Sequence, residues 1–293
     1  MFESATSLRD ILKGYGRQAI PFTDPANPDR PIVLNTYRPQ GHTPERPVII
    51  VQHGMNRNGD DYRDFWIPAA DRHNLLIVAP TFPGTAYPGS EAYNNGLILD
   101  DAGRVRPRES WVYATPARVV RALQQAGVMT ATKARIYGHS AGGQFVHRML
   151  STQEDFPFEA AVAANAGWYS LPLLEVAFPA GLGRLGFGTA DLARLFAYPL
   201  QIVAGLDDCS AAADNLPTQP EAIAQGTGRL QRAHTYFARG KREAEALGLP
   251  FNWTLTEVPG IAHDGCAMSA VTAALWFEGG LPAAGAVSAG HVA

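Results

Sequence analysis

A serine lies between glycines in one short segment, and its surroundings suggest covalent catalysis. The segment reads Gly138-His139-Ser140-Ala141-Gly142-Gly143. It follows a predicted strand over 134–137 and precedes a predicted helix. In a G-x-S-x-G turn between a strand and a helix, the serine hydroxyl is exposed on a strained turn that the glycines allow to pack closely. We interpret Ser140 as a nucleophile, although the same pentapeptide also occurs in ordinary Gly/Ser-rich loops, so the interpretation depends on partner residues.

A base and an acid follow in the order that such a serine requires, with the acid before the histidine. His263 lies in a glycine-rich segment directly after a predicted strand over 253–258. Asp207 and Asp208 both follow a predicted strand over 200–204, and both side chains cannot face one histidine from one loop. The G-x-x-D spacing from Gly205 favours Asp208 as the acid, with Asp207 as the alternative. The acid would fix the tautomer of His263 and stabilise the imidazolium.

The elements that must position these residues alternate along the chain. Apolar runs recur with helical stretches between them, and several runs are apolar almost throughout, which is typical of strands covered on both faces. We predict an α/β fold with a mostly parallel, doubly wound sheet in one domain over 1–280, followed by a mobile tail over 281–293. The predicted strands cover 32–37, 47–52, 75–79, 134–137, 160–164, 200–204 and 253–258.

One late helix carries a regular apolar stripe. The stripe consists of Ile223, Leu230, Phe237 and Ala244. Four arginines lie elsewhere on the helical wheel, which predicts a surface helix with one buried side. These arginines are Arg229, Arg232, Arg239 and Arg242.

Three segments together resemble the α/β-hydrolase superfamily, and within it the polyhydroxybutyrate depolymerase-like and feruloyl esterase-like serine esterases. The superfamily resemblance covers most of the chain, whereas the resemblance to this branch depends on short motifs. It implies an α/β-hydrolase fold and hydrolysis of carboxylic esters, including bulky or polymeric ones, usually with no cofactor. The segments are His53-Gly54-Met55-Asn56-Arg57-Asn58-Gly59, Gly138-His139-Ser140-Ala141-Gly142-Gly143 and Pro259-Gly260-Ile261-Ala262-His263-Asp264.

An oxyanion hole is expected from two main-chain N–H groups. In this fold one donor comes from the loop after the third strand and the other from the residue after the nucleophile. These donors would be Met55 and Ala141. We interpret His53 as a hydrogen-bonded structural residue rather than a proton carrier.

The substrate pocket is less well defined by the sequence. Trp168 and Tyr169 follow a predicted strand, where loops line the pocket of such sheets, so they are candidate substrate-binding residues or plain packing. Tyr62, Trp111 and Tyr113 are weaker candidates of the same kind. The segment 170–198 is either a short lid over an apolar pocket or an ordinary insertion.

Cys209 directly follows the candidate acid, and Cys266 lies three residues beyond the candidate base. They could form a disulfide that joins the two loops, or they could be two inert buried thiols. A bridge would imply a periplasmic or secreted protein whose leader was removed. Without a leader the chain is expected to be cytoplasmic.

Composition excludes several other functions. The chain of 293 residues is 46% hydrophobic and 17% charged with a formal net charge of −3, so no positive field for nucleic acid or an anionic membrane is expected. No apolar run is long enough to span a membrane, and no metal motif is present. We predict a carboxylic ester hydrolase of class EC 3.1.1. The alternatives are a serine peptidase, amidase or acyltransferase with the same triad, or a non-catalytic binding protein.

Overall fold

An eight-stranded sheet organises the chain in a computed structural model that describes residues 8–213 and 215–282. The strands are β1 (Gly16–Phe22), β2 (Ile32–Arg38), β3 (Val48–Gln52), β4 (Leu76–Thr81), β5 (Ala134–His139), β6 (Phe158–Ala164), β7 (Leu200–Gly205) and β8 (Thr254–Val258). All seven strands expected from the sequence are present. Only β1 was not expected. Most of the tail predicted over 281–293 lies outside the described residues.

The sheet order brings the ends of three strands together at the candidate site. Its order is β1-β2-β4-β3-β5-β6-β7-β8. The first two pairings are antiparallel, and the other five are parallel. The predicted doubly wound, mostly parallel sheet is confirmed. Because the carboxyl ends of parallel strands lie at one edge, the loops after β5, β7 and β8 meet there.

Helices connect and cover these strands. The helices are α1 (Gly59–Phe65), α2 (Ile67–His73), α3 (Thr115–Gln125), α4 (Ala141–Thr152), α5 (Thr189–Ala197), α6 (Pro220–Ile223), α7 (Arg229–Ala246) and α8 (Gly265–Phe277). Short 3-10 turns cover Asp10–Lys13, Arg108–Ser110 and Val112–Ala114. None of the described helices is long and apolar enough to cross a membrane.

The core lies on both faces of the sheet. Along β3, Val48 and Ile50 face the larger cluster, whereas Ile49 and Val51 face a smaller one under α8. This alternation follows from the twofold period of a strand. All five residues of β3 are buried, so the strand that leads to the expected oxyanion loop is anchored from both sides.

The late helix begins later than predicted, and two of its arginines are buried. It begins at Arg229, so Ile223 lies outside it and is 55% exposed. Arg229 and Arg232, expected at the surface, are buried. Their guanidinium groups bind loop oxygens and a carboxylate near the sheet edge, which the helical wheel could not reveal.

Candidate active site

Ser140 occupies a sharp turn between β5 and α4. Its backbone angles are φ 57° and ψ −119°, a backbone conformation that residues other than glycine rarely adopt. The turn packs closely because glycines surround it. A Cβ on Gly138 would lie 2.1 Å from the Gly142 carbonyl oxygen, and one on Gly142 would lie 2.1 Å from the Gln52 carbonyl oxygen. Such strain persists only where the surrounding structure enforces it, and it occurs most often at functional sites.

Ser140, His263 and Asp208 form one hydrogen-bonded chain. Nε2 of His263 lies 3.0 Å from Oγ of Ser140, and Nδ1 of His263 lies 2.7 Å from Oδ2 of Asp208. A carboxylate only accepts, so Nδ1 carries the proton and Nε2 is free to accept from the serine hydroxyl. This arrangement can remove the serine proton as the hydroxyl attacks an electrophile.

The second oxygen of Asp208 has a partner that sequence reasoning missed. Arg229 donates to Oδ1 of Asp208 at 3.2 Å, and both side chains are almost fully buried. Arg229 also donates to the Asn215 side chain. Asp207 is exposed and its main-chain N–H is bound to the Ile261 carbonyl, so the structure brings Asp208, and not Asp207, to His263.

Asn165 joins the loop of the acid to the loop of the base. Its amide donates to the Ala262 carbonyl at 2.9 Å, and its Oδ1 accepts from the Gly205 N–H at 2.8 Å. The loops approach so closely that a Cβ on Gly205 would lie 2.2 Å from the Ile261 oxygen. A small number of polar contacts therefore holds His263 opposite Asp208.

A second histidine packs against the base. The ring of His139 lies 4.6 Å from the ring of His263, and Nδ1 of His139 lies 2.9 Å from the Tyr62 hydroxyl. Burial, with the nearby His263, holds the pKa of His139 well below its usual range. The imidazole of His139 is therefore neutral, and its packing against the His263 ring limits the orientations that this ring can adopt.

The expected oxyanion donors lie beside Ser140. Met55 lines the same cavity as Ser140 and His263, and Ala141 begins α4. Among the described residues, neither main-chain N–H has a main-chain acceptor. His53 is bonded at both nitrogens, donating to the Gly54 carbonyl at 2.8 Å and accepting from the Phe82 N–H at 3.0 Å. Burial lowers its pKa to about 3, which agrees with its interpretation as structural.

Two adjoining cavities beside Ser140 form the candidate substrate pocket. A cavity of about 220 Å³ contains Ser140 and His263 and shares Met55 and Asn215 with a neighbour of about 420 Å³. Trp168 lines the larger cavity. The joined cavities leave room for a substrate on one side of the serine.

Several expected pocket residues belong to the core instead. Tyr169 is fully buried and stacks on Tyr236 at 4.5 Å, so its side chain does not line either cavity. Trp111 and Tyr113 are fully buried in the larger core cluster. Tyr62 does line the cavity at Ser140. The direction of a side chain after a strand depends on the loop, which composition does not reveal.

The segment 170–198 packs its apolar residues inward. They join the larger core cluster, and the segment contains α5. This packing favours an ordinary insertion over a lid, although the division into domains stays a prediction. The buried residues include Phe178, Leu182, Leu185, Leu192, Leu195 and Phe196.

The cysteines are not bridged. Cys209 is exposed, and its main chain lies against Gly228. Cys266 lies in the first turn of α8 near Tyr137, and burial raises the pKa of its thiol. Of the two alternatives left open by the sequence, the disulfide is not formed, because Cys209 lies against Gly228 whereas Cys266 lies in the first turn of α8 near Tyr137. Among the described residues, no cluster of histidine, cysteine or carboxylate could hold a metal ion.

Known structures resemble this arrangement over almost the whole chain. LpqC, a poly(3-hydroxybutyrate) depolymerase from Bordetella parapertussis, is 52% identical, with a TM-score of 0.93 over 97% of this chain and 98% of LpqC. The chain belongs to the α/β-hydrolase superfamily. Within that superfamily it is a serine hydrolase of the depolymerase-like and esterase-like group.

A second relative has a different polymer in its name. Poly(aspartic acid) hydrolase-1 from Sphingomonas sp. KT-1 is 37% identical to this hydrolase, with a TM-score of 0.86 over 89% of this chain and 98% of that one. An S-formylglutathione hydrolase from Agrobacterium tumefaciens, 15% identical over 92% and 97% of the two chains with a TM-score of 0.56, shares the fold alone. No protein-family model and no curated protein matches the hydrolase.

Proposed function

We propose that this serine hydrolase cleaves bulky or polymeric carboxylic esters through an acyl-enzyme formed on Ser140. The observation that carries the proposal is the chain of contacts at 3.0 Å and 2.7 Å from Ser140 through His263 to Asp208. The high identity to a polyester depolymerase supports the substrate class. The joined cavities beside Ser140 offer space for more than one unit of such a chain.

The reaction follows from the positions of these atoms. Oγ of Ser140 attacks the ester carbonyl while Nε2 of His263 takes its proton, and the N–H groups of Met55 and Ala141 stabilise the oxyanion. His263 then protonates the departing alcohol. Water, activated by the same histidine, releases the acid. Asp208 holds the proton on Nδ1 and balances the charge of the imidazolium.

A polymeric amide is the second candidate substrate, because the relative at 37% identity is named for poly(aspartic acid). The same residues could protonate a departing amine, so geometry at Ser140 does not separate the two. Cleavage of the amide must instead be tested directly against cleavage of the ester.

The test compares amorphous poly(3-hydroxybutyrate) with poly(aspartic acid), using clearing of the suspension and release of free amines as the two measurements. A Ser140→Ala preparation is the matched control. We expect clearing by the wild type alone and slow or no amine release. Amine release that depends on Ser140, with no ester turnover, would overturn the ester assignment in favour of the amide.

A further inference from the structure

Two buried arginines and one half-buried arginine lie behind different walls of the larger cavity, which we name the arginine-backed cavity. The cavity has a volume of about 420 Å³ and adjoins the one that contains Ser140. One wall is the loop around Asn94, a second is formed by Gln144 and Trp168, and a third is the loop 215–219. The arginines are Arg57, Arg148 and Arg232.

Arg148, on α4, stands behind the second wall. It is fully buried and donates to the Ser170 hydroxyl at 2.9 Å, to the Asn94 carbonyl at 3.0 Å and to Oε1 of Gln144 at 3.1 Å. Its guanidinium carbon lies 5.0 Å from the centre of the Trp168 ring. Its Nη2 has no partner among the described residues.

The other two arginines hold main-chain oxygens of the remaining walls. Arg57 donates to the carbonyls of Tyr87 and Gly89, directly before the first wall. Arg232 donates to the carbonyls of Gly167 at 2.6 Å and Pro217 at 2.9 Å. Arg232 thus holds a lining residue directly, whereas Arg57 holds the chain just before the first wall.

None of the three guanidinium groups has a carboxylate partner among the described residues. This is unusual for Arg148 and Arg232, which are buried, because buried charges are commonly paired. Arg57 is half-buried. Arg63 and Arg229, also buried, do have carboxylate partners. Burial lowers the pKa of Arg148 to about 10, so it stays charged at neutral pH. The described lining contributes one carboxylate, Glu91, which is exposed at the surface.

Gln144 presents hydrogen-bond donors toward this cavity. Its Oε1 accepts from Asn94 at 3.0 Å and from Arg148, so its NH₂ group is the part of the amide left for a ligand. Its main-chain N–H bonds the Ser140 carbonyl one helical turn earlier. The two residues are therefore about 6 Å apart along the axis of α4.

We propose that the arginine-backed cavity binds a carboxylate of the substrate, about one polymer unit away from the carbonyl that Ser140 attacks. The inference rests on the proposed function and specifies its substrate class. The carboxylate has two sources, the free end of a hydroxyacid oligomer or the side chains of a polyacid. Both would accept hydrogen bonds from Gln144 in the field of the three arginines.

The experiment compares the dimer of 3-hydroxybutyrate with its terminal primary amide, which has the same shape without the charge. We expect kcat/KM to be at least about tenfold higher for the free acid, since hydrogen bonds to a charged group contribute about 1.5–3 kcal/mol. The preference should fall as salt is added. Equal kcat/KM for the two dimers would overturn the proposal.

Charge variants test whether the preference for the free acid arises at the arginine-backed cavity. Gln144→Glu should abolish or reverse the preference, whereas Glu91→Gln should increase it. Glu45→Gln is the control for Glu91→Gln, because it also removes one negative charge. Glu45 is exposed and lies before β3, at the opposite edge of the sheet, so this variant should keep the wild-type ratio of kcat/KM for the acid to kcat/KM for the amide. An unchanged ratio in Gln144→Glu contradicts the proposal.

A binding measurement separates this inference from the proposed function. In Ser140→Ala, calorimetry should show tighter binding of the free acid than of the amide, whether or not the wild type turns either over. Equal Kd values overturn the carboxylate site, whereas a Kd difference without any wild-type turnover overturns the ester reaction alone. Competition by an end-capped oligo(aspartic acid) identifies the side-chain source, and competition by the free-acid dimer alone identifies the terminal source.

Discussion

Asp207 and Asp208 are neighbours in the chain with opposite surroundings. Asp208 is buried between His263 and Arg229, whereas Asp207 is exposed. Only one of the two can orient the histidine, and the other serves as a matched control that changes the same charge one residue away.

Replacement of each aspartate by asparagine should separate their roles. We expect Asp208→Asn to lower kcat on p-nitrophenyl acetate by about 10⁴-fold, because an amide at this position favours the wrong tautomer of His263. Asp207→Asn should stay within about twofold of the wild type, as surface changes usually do. Equal losses in both variants would contradict the assignment of the acid.

Arg229 is predicted to contribute to stability as well as to the position of Asp208. Arg229→Met removes the charged partner of a buried carboxylate and leaves it only the hydrogen bond from His263, so we expect a loss approaching about 3–5 kcal/mol in the free energy of unfolding. Arg229→Lys keeps the charge but loses the fork geometry, so it should retain part of that stability. Urea unfolding of both variants measures the effect. A Met variant as stable as the wild type would argue against the ion pair.

The sequence was sufficient to predict Ser140 and His263 because glycine-rich turns after strands mark such positions. It could not separate the two aspartates by contact, and it missed Arg229 and Asn165 entirely. The helical wheel groups Arg229 with the other arginines of a surface helix, since a wheel does not show what lies beyond the end of the helix. The sequence leaves Tyr169 open as a pocket residue or plain packing, because the direction of the loop determines which way the ring faces, and the structure packs the ring on Tyr236.

At the level of elements, the approach of α4 to β3 determines whether the site can form. Gly142 lies against the main chain of Gln52, so its hydrogen cannot be replaced without moving one backbone past another. The same movement would displace Ala141 and Met55, the two expected oxyanion donors.

Gly142→Ala is therefore predicted to lower kcat on short esters by at least about 10²-fold, the loss typical of one missing oxyanion donor. It should also lower the melting temperature. Gly84→Ala is the matched control, since a Cβ there meets no atom within 4 Å. A Gly142→Ala enzyme with wild-type kcat would show that the turn tolerates a larger separation from β3.

The elements that the sequence predicted are the ones with the clearest patterns. The seven predicted strands are largely apolar runs, whereas β1 is an edge strand with only two buried residues, and it exposes Arg17, Ala19 and Pro21. The sequence pattern does not predict the helix α8, because this helix is too uniformly apolar. It is apolar on nearly all sides and has no polar face to give a helical period.

Across the whole molecule, four buried histidines make the fold sensitive to acid. Burial lowers the pKa of His42 to about 4 and of His53 to about 3, and it holds the pKa values of His139 and His147 well below the usual range. His147, like His53, accepts a main-chain N–H at Nε2, here from Ser170 at 3.0 Å. Protonation would remove that contact.

Stability should therefore fall as the pH decreases from about 6.5, where unfolded histidines begin to bind protons, toward the lower folded pKa values. Each histidine contributes a slope of about 1.4 kcal/mol per pH unit. Calorimetry at pH 5.5 in buffers of different ionisation enthalpy should show uptake of about three protons or more on unfolding. Uptake of one proton or none would mean that these histidines are charged in the folded protein.

The central claim is that Ser140 is the nucleophile of an acyl-enzyme. The most direct measurement is hydrolysis of a p-nitrophenyl ester series from acetate to long acyl chains, by the wild type and by Ser140→Ala, with fluorophosphonate labelling located by mass spectrometry. We expect turnover by the wild type, the label on Ser140 alone, and loss of both in a folded Ser140→Ala variant. Wild-type turnover by that variant, or no turnover and no label in the wild type, would contradict the account.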